Sequence, residues 1–136
     1  VNVSSDIGAL LAAAGLVTLA PASGFTWFER FMPDAPDDVT VIFEYEGQPP
    51  RRTHDEFGAI ERPRFQIVTR GVPGNDATAK TRADSIREVL DGVIDTPLAS
   101  GARAIVIRSL GFFGFLKRDT LSRAHFAGNY EMEVAA

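Results

Sequence analysis

Val39-Thr40-Val41-Ile42-Phe43-Glu44-Tyr45, Arg64-Phe65-Gln66-Ile67-Val68-Thr69-Arg70 and the helical run from Asn75 to about Gly92 decide the fold of this chain. In the first segment Val39, Val41, Phe43 and Tyr45 share one side, while Thr40, Glu44 and Glu46 share the other with Ile42. That near-alternation is the pattern of a strand in a sheet with one packed face. The second segment is also strand-like, and Gly71-Val72-Pro73-Gly74 turns it into a helix capped by Asn75 or Asp76. The helix has a buried stripe at Ala79, Ala83, Ile86, Leu90 and Val93, with Arg82, Asp84, Arg87, Glu88 and Asp91 elsewhere on the wheel.

Towards the N-terminus, Ile7, Leu10, Leu11 and Ala14 fall at i, i+3, i+4 and i+7, so a short docking helix is expected, started by Ser5 and ended by Gly15. The alternative is a secretory leader over residues 1–22, cleaved near Ala20-Pro21-Ala22-Ser23. Against it, Val1 to Asp6 carries no Lys or Arg. A membrane span is not expected, because Gly15, Pro21, Ser23 and Gly24 interrupt the apolar run. Phe25 to Met32 reads as an aromatic strand stopped by Pro33, followed by an acidic turn at Asp34 to Asp38. Gly47 to Pro63 reads as a long loop, and Asp95 to Gly101 as a chain reversal. Ala102 to Leu110 is expected as a central strand that Phe112-Phe113-Gly114-Phe115 continues or bulges. Tyr130-Glu131-Met132-Glu133-Val134 shows the two-residue period once more. The expected architecture is α+β: a mostly antiparallel sheet in the order α-β-β-β-α-β-β(-β), with both helices packed on one face and residues 1–136 as a single domain.

The 136 residues are 45% hydrophobic and 24% charged, with a formal net charge of −4. This is the composition of an ordinary globular domain, and its sign disfavours a general nucleic-acid binder. No cysteine is present, so thiolate nucleophiles and zinc–thiolate sites are excluded. His54-Asp55-Glu56, with distant His125, are the best candidates for a metal or a catalytic base. Three consecutive residues in a loop lack ligand spacing, however, and a solvated loop is the better reading. The pairs Glu44/Glu46 and Glu131/Glu133 are similarly read as sheet-solvating acids rather than a general acid–base pair. Gly111-Phe112-Phe113-Gly114 lacks the lysine and the helix of a phosphate cradle. Catalytic, metal and cofactor sites are therefore all expected to be absent. Charge is distributed unevenly: Asp34, Asp37 and Asp38 precede a basic stretch bearing Arg51, Arg52, Arg62 and Arg64. Opposed patches of this kind suit either a head-to-tail contact between copies or pairing within one subunit. These seven residues are the candidate assembly interface.

Three segments form an ordered set: Ile42-Phe43-Glu44-Tyr45-Glu46-Gly47-Gln48-Pro49-Pro50, then Arg62-Pro63-Arg64-Phe65-Gln66-Ile67, then the helix closing on Arg87-Glu88-Val89-Leu90-Asp91-Gly92. The set resembles the tailed-bacteriophage minor capsid or tail terminator family, also called tail completion proteins. Phe31-Met32-Pro33-Asp34-Ala35-Pro36-Asp37-Asp38 fits the same pattern, and beyond Gly101 the likeness is only in kind. The resemblance implies a non-enzymatic virion protein, a homo-oligomer forming a hexameric ring on the tail tube. Its partners would be further copies of itself, the tail tube protein and the head–tail connector or stopper. No membrane or sequence-specific nucleic acid is implied. In that setting Pro49, Pro50, Pro63 and Gly92 would direct the chain. Alternatives are another connector or tail-tube subunit, or a secreted small-ligand-binding domain. The Phe112, Phe113 and Phe115 cluster departs from the family pattern and is expected to be core.

Overall fold

The structure, a computed structural model, describes residues 2–19, 25–52 and 59–135, leaving aside the side chains of Glu46, Arg51, Arg52, Ala59, Phe112 and Phe113. Two helices, α1 (Val3–Ala13) and α2 (Asp76–Asp91), accompany six strands: β1 (Thr26–Glu29), β2 (Val39–Arg52), β3 (Ala59–Arg70), β4 (Ile94–Pro97), β5 (Arg103–Arg118) and β6 (Ala124–Ala135). They form one sheet in the order β1-β2-β3-β6-β5-β4. Each neighbouring pair is antiparallel except β1 with β2. The α+β architecture read from the sequence is the one observed.

Both helices pack on the same face. In register across the sheet, Ile42 lies opposite Ile67, Phe65 opposite Tyr130, and Met132 opposite Ile107. Onto this layer α1 lowers Val3, Ile7 and Leu11, and α2 lowers Ile86 and Leu90, forming one apolar cluster. Phe65 and Tyr130 stack with centroids 5.5 Å apart at its centre. A satellite cluster of Phe25, Ala79, Ala83, Ala124 and Phe126 extends the core under the start of α2. The stripe Ala79, Ala83, Ile86, Leu90 and Val93 is buried throughout, as its spacing predicts.

Polar anchors set the position of α1. The Ser4 amide and hydroxyl both donate to Glu44 on β2, and buried Asp6 accepts from the Ser100 amide (2.9 Å) and hydroxyl (2.7 Å). The helix starts earlier than expected, because the Asn2 side chain rather than Ser5 is the cap, accepting from the Ser5 amide. Gly15 follows the helix with φ +75, where glycine is favoured. The stretch Ala20–Ser23, read as a possible cleavage site, lies outside the described residues.

Several boundaries differ from the sequence reading. The aromatic strand is only Thr26–Glu29, flanked by Phe25 and Arg30 at positive φ, which breaks extended structure on either side. The expected loop over Gly47 to Pro63 is largely strand. β2 runs to Arg52 and β3 starts at Ala59, and register shifts on either side of Gln48 accommodate the two prolines. Within the expected reversal, Ile94–Pro97 pairs with β5 as a short edge strand. β5 is therefore second from the edge, and the central position belongs to β6, buried almost from end to end. A bulge does interrupt β5 between Leu110 and Gly114. Phe115, expected in the core, is 56% exposed although its ring meets Phe126 edge-on. Phe112 and Phe113 contribute no described side chain.

Gly8 provides a direct test of the α1 contact. A Cβ added there would lie 2.5 Å from the Trp27 indole nitrogen, so the buried indole or the helix must shift. Gly8→Ala is expected to destabilise the fold by about 1–3 kcal/mol despite its better helix propensity. Trp27 is the sole tryptophan of the chain, so denaturant titration followed by its fluorescence reads the effect.

Candidate assembly surfaces

The sheet face opposite the helices has two regimes. At the end where Val39, Arg70 and His125 lie in register, it is as closed as the core: Val39 and Val41 are fully buried, although no helix covers them. Residues 30–38, which connect the parallel pair β1 and β2, fold over them. A buried guanidinium secures this connection. Arg70 Nε donates to the Asp37 carbonyl (2.8 Å), Nη1 to the Pro33 carbonyl (2.6 Å) and Nη2 to the Pro36 carbonyl (2.6 Å). Planar, multi-donor geometry is what Arg provides and Lys does not.

Arg123 reinforces the clamp from the β5–β6 turn, donating to the Asp34 carbonyl (2.6 Å) and to Asp37 Oδ1 (3.2 Å). Its Nε also meets Asp119 Oδ2 at 2.9 Å. Asp119 additionally accepts from the Leu121 and Arg123 amides and lies 3.2 Å from His125 Nε2. Burial alone would raise the Asp119 pKa, but these hydrogen bonds outweigh it and hold the carboxyl well below the usual carboxylate range. Arg70 is drawn down by burial and by Arg123 alongside, while Asp119, Asp37 and Asp34 oppose the shift.

Further along, the same face is hydrated and ion-paired. Arg64 (Nε, 2.9 Å) and Arg108 (3.3 Å) both contact Glu131, and Arg108 also reaches Glu133 (3.4 Å). Burial opposes ionisation of Glu131, but the Arg64 hydrogen bond and the charges of Arg64 and Arg108 leave its pKa lowered. Of the acids read as sheet-solvating, Glu131 and Glu133 thus serve a three-strand charge ladder, and Glu44 instead holds Ser4 of α1. Among the described residues, no group of three or more His, Asp or Glu side chains is placed to hold a metal ion, and no helix is long and apolar enough to cross a membrane. His54, Asp55 and Glu56 lie outside the described residues. His125 is buried, with its Nε2 3.2 Å from Asp119 Oδ2.

The candidate interface residues separate to opposite ends of the sheet. Asp34, Asp37 and Asp38 belong to the clamped connection beside the Val39–Arg70 row, whereas Arg51, Arg52 and Arg62 belong to the far end of the β2–β3 hairpin. From Ile60 to Arg70, at about 3.4 Å per residue, the two ends lie about 34 Å apart. Several of these residues have partners within the subunit. Asp37 meets Arg123, Asp38 accepts from the Phe25 amide (3.3 Å), Arg62 donates twice to the Pro49 carbonyl (3.1 and 2.7 Å), and Arg64 meets Glu131. Asp34 is exposed. The Arg70–Arg123–Asp119 clamp was missed in the sequence, because its acceptors are mostly carbonyls, which any residue type supplies.

A family model described as bacteriophage tail terminator protein matches residues 10–135. The chain belongs to the bacteriophage tail terminator family. A solved chain from the virion of a native gene transfer agent particle has the same fold, with a TM-score of 0.62 at 17% identity, over 98% of this chain and 94% of that one. Comparison with curated protein sequences finds no match. A structural component of a phage tail is therefore what this subunit is, and the resemblance read from the ordered motifs holds.

Two measurements probe the clamp. Arg70→Met leaves three carbonyls without their shared donor and is expected to cost about 3 kcal/mol or more, with amide exchange at residues 33–38 accelerating first. His125 carries the second. Burial draws its pKa below the ordinary value near 6.5, Asp119 opposes this, and Lys117 and Arg70 add to the lowering. Since the folded value lies below the unfolded one, its contribution is complete above the unfolded pKa and is lost as pH falls through the folded pKa. Thermal stability should therefore decline from about pH 7 to about pH 5, and His125→Gln should flatten that slope. The acid loss due to Asp119, at lower pH, should remain.

Proposed function

We propose that this tail terminator subunit forms a hexameric ring at the head-proximal end of the tail, with one side on the last layer of tail tube protein and the other facing the head–tail connector or stopper. The mechanism is steric: ring closure stops tube growth and presents a new surface for joining. Assembly takes place in the host cytoplasm, and the protein remains in the virion. The observation that carries this reading is the division of one sheet into two chemically different ends. A rigid carboxylate-bearing turn marks one end, and an arginine-bearing hairpin marks the other. A subunit that must meet two different neighbours along one axis needs such polarity, and electrostatic complementarity orients each docking event.

In this reading the acidic turn and the basic hairpin serve the two stacking contacts rather than the lateral one. Their separation of about 34 Å prevents pairing with each other inside one subunit. No catalytic group or cofactor enters the mechanism.

Arg51→Glu/Arg52→Glu tests it. The double variant should keep the circular dichroism and melting temperature of the parent while tail joining falls and loses its salt sensitivity. Joining at the parental level in a complementation assay, with electron micrographs of intact particles, would remove the hairpin from the docking surface.

A further inference from the structure

Two strand edges in the described structure end without a neighbour, and they lie at diagonally opposite corners of the sheet. On one side β1 covers β2 only from Val39 to Ile42, and the Arg30 amide closes that contact on the Ile42 carbonyl at 2.8 Å. From Phe43 onward no described strand lies outside β2. On the other side β4 covers β5 only as far as Val106, after which the Val93 carbonyl takes the Ile107 amide (3.3 Å) and Asp91 takes the Ser109 amide (3.1 Å). From Leu110 to Arg118 no described strand lies outside β5.

Open edges are ordinarily blunted, and here the blunting has limits. Pro49-Pro50 halts any ladder on β2 after Gln48, and the bulge ending at Gly114 halts one on β5. Phe43–Gln48 remains between the covered segment and the stop on β2, and Gly114–Arg118 lies beyond the bulge on β5, each with one register shift against its inner neighbour. Both expose apolar side chains: Tyr45 is 43% exposed, Phe115 56% and Leu116 50%. Their charges are opposite, with only Glu44 and Glu46 in the first and only Lys117 and Arg118 in the second; of these, Glu44 also holds Ser4 and Arg118 also holds Asp76. The sheet order also runs β2 and β5 antiparallel to one another, so a second copy continuing the sheet would present its β2 to β5 in antiparallel sense.

We infer that the β5 edge of one subunit at Gly114–Arg118 pairs with the β2 edge of a second copy at Phe43–Gln48, making one continuous sheet across the lateral contact. The inference rests on the ring reading above and specifies its subunit interface. Tyr45 is in register, through Arg64, with Glu131, whereas Phe115 is in register with Phe126. The five residue steps along β6 from Phe126 to Glu131 amount to an offset of about 17 Å along the strands. A constant stagger per subunit closes into a ring when the strands tilt against the ring axis, as shear does in a barrel. The contact is heterologous, so it suits a closed ring and not a two-fold dimer.

Crosslinking tests this directly, since the parent chain has no cysteine. Tyr45→Cys and Leu116→Cys are made singly and together at exposed positions, and folding is checked by Trp27 fluorescence. Within one subunit the two positions lie about 14 Å apart across the strands and about 17 Å along them, beyond a short bis-maleimide. The double variant should give a ladder of covalent oligomers up to the ring, and a mixture of the single variants should give dimers only. Neither single variant alone should crosslink. Rings in negative stain without the ladder would overturn the edge pairing and leave the ring reading standing. Symmetric dimers from one single variant, or a ladder formed only with another virion protein, would also overturn it. Solitary particles at every concentration would remove both readings.

Discussion

Three hydrogen bonds from Arg70 determine how this sheet can begin. β1 lies parallel to β2, and parallel neighbours require the chain to leave the sheet plane and return. Such a crossover is usually a helix, which supplies its own hydrogen bonds and an apolar face. Here it is residues 30–38, a stretch punctuated by Pro33 and Pro36 with no regular ladder to satisfy its carbonyls. Arg70 meets three of those carbonyls and Arg123 a fourth. The connection can then lie on Val39 and Val41, which would otherwise be apolar surface on the helix-free face. A buried charge would ordinarily be unfavourable, and it is tolerated because Asp119 and Asp37 stand beside the two guanidinium groups.

The clamp also links the packing to the assembly reading. It joins the β1–β2 connection, the end of β3 and the β5–β6 turn into one rigid corner, and that corner carries Asp34, Asp37 and Asp38. Carboxylates held on a fixed frame lose little conformational freedom on meeting a partner, which favours their use in recognition. The hairpin at the opposite end is built differently. Its strands stay in the sheet as far as Ile60, which lies opposite Ala135 on β6, and Arg62 steadies the Pro49 carbonyl where the ladder is broken by proline.

How much of this was legible in the sequence depends on the kind of signal. α2 was readable in full, because Ala79, Ala83, Ile86, Leu90 and Val93 combine periodicity with a capping Asn75. The start of β2 was readable by its alternation, although both sides of Val39–Ile42 turn out to be buried, one by helices and one by the 30–38 connection. The far half of the hairpin was read as loop, because Pro49-Pro50 and Arg51-Arg52 resemble punctuation. Register shifts let β2 run past such residues as the edge strand on β3. The central role of β6 was hidden by His125, Gly128, Asn129 and Glu131, polar or small residues that lower its apparent hydrophobicity. His125 and Glu131 are buried because each has an opposite charge or hydrogen-bond partner from a neighbouring strand or turn. Pairing of that kind is a property of register, and a single strand's composition does not contain it.

The same distinction governs the assembly residues. Charge counts along the chain identified the acidic and basic groups but left open whether they meet between copies or within one subunit. Register separates them to opposite ends of the sheet, so in the proposed ring the lateral contact draws on something else. Backbone edges are the natural candidate because they depend on which neighbours stop short, β1 ending at Glu29 and β4 starting only at Ile94, and not on residue type. Short outer strands that leave the long inner ones uncovered at opposite corners are wasteful in a solitary domain, where exposed Tyr45, Phe115 and Leu116 would meet only water. In a subunit built to repeat, the same shortness gives each copy one edge to offer and one to receive. The prolines of β2 and the bulge of β5 then act as stops, confining the contact to a few residues and disfavouring the open-ended stacking to which bare edges are prone.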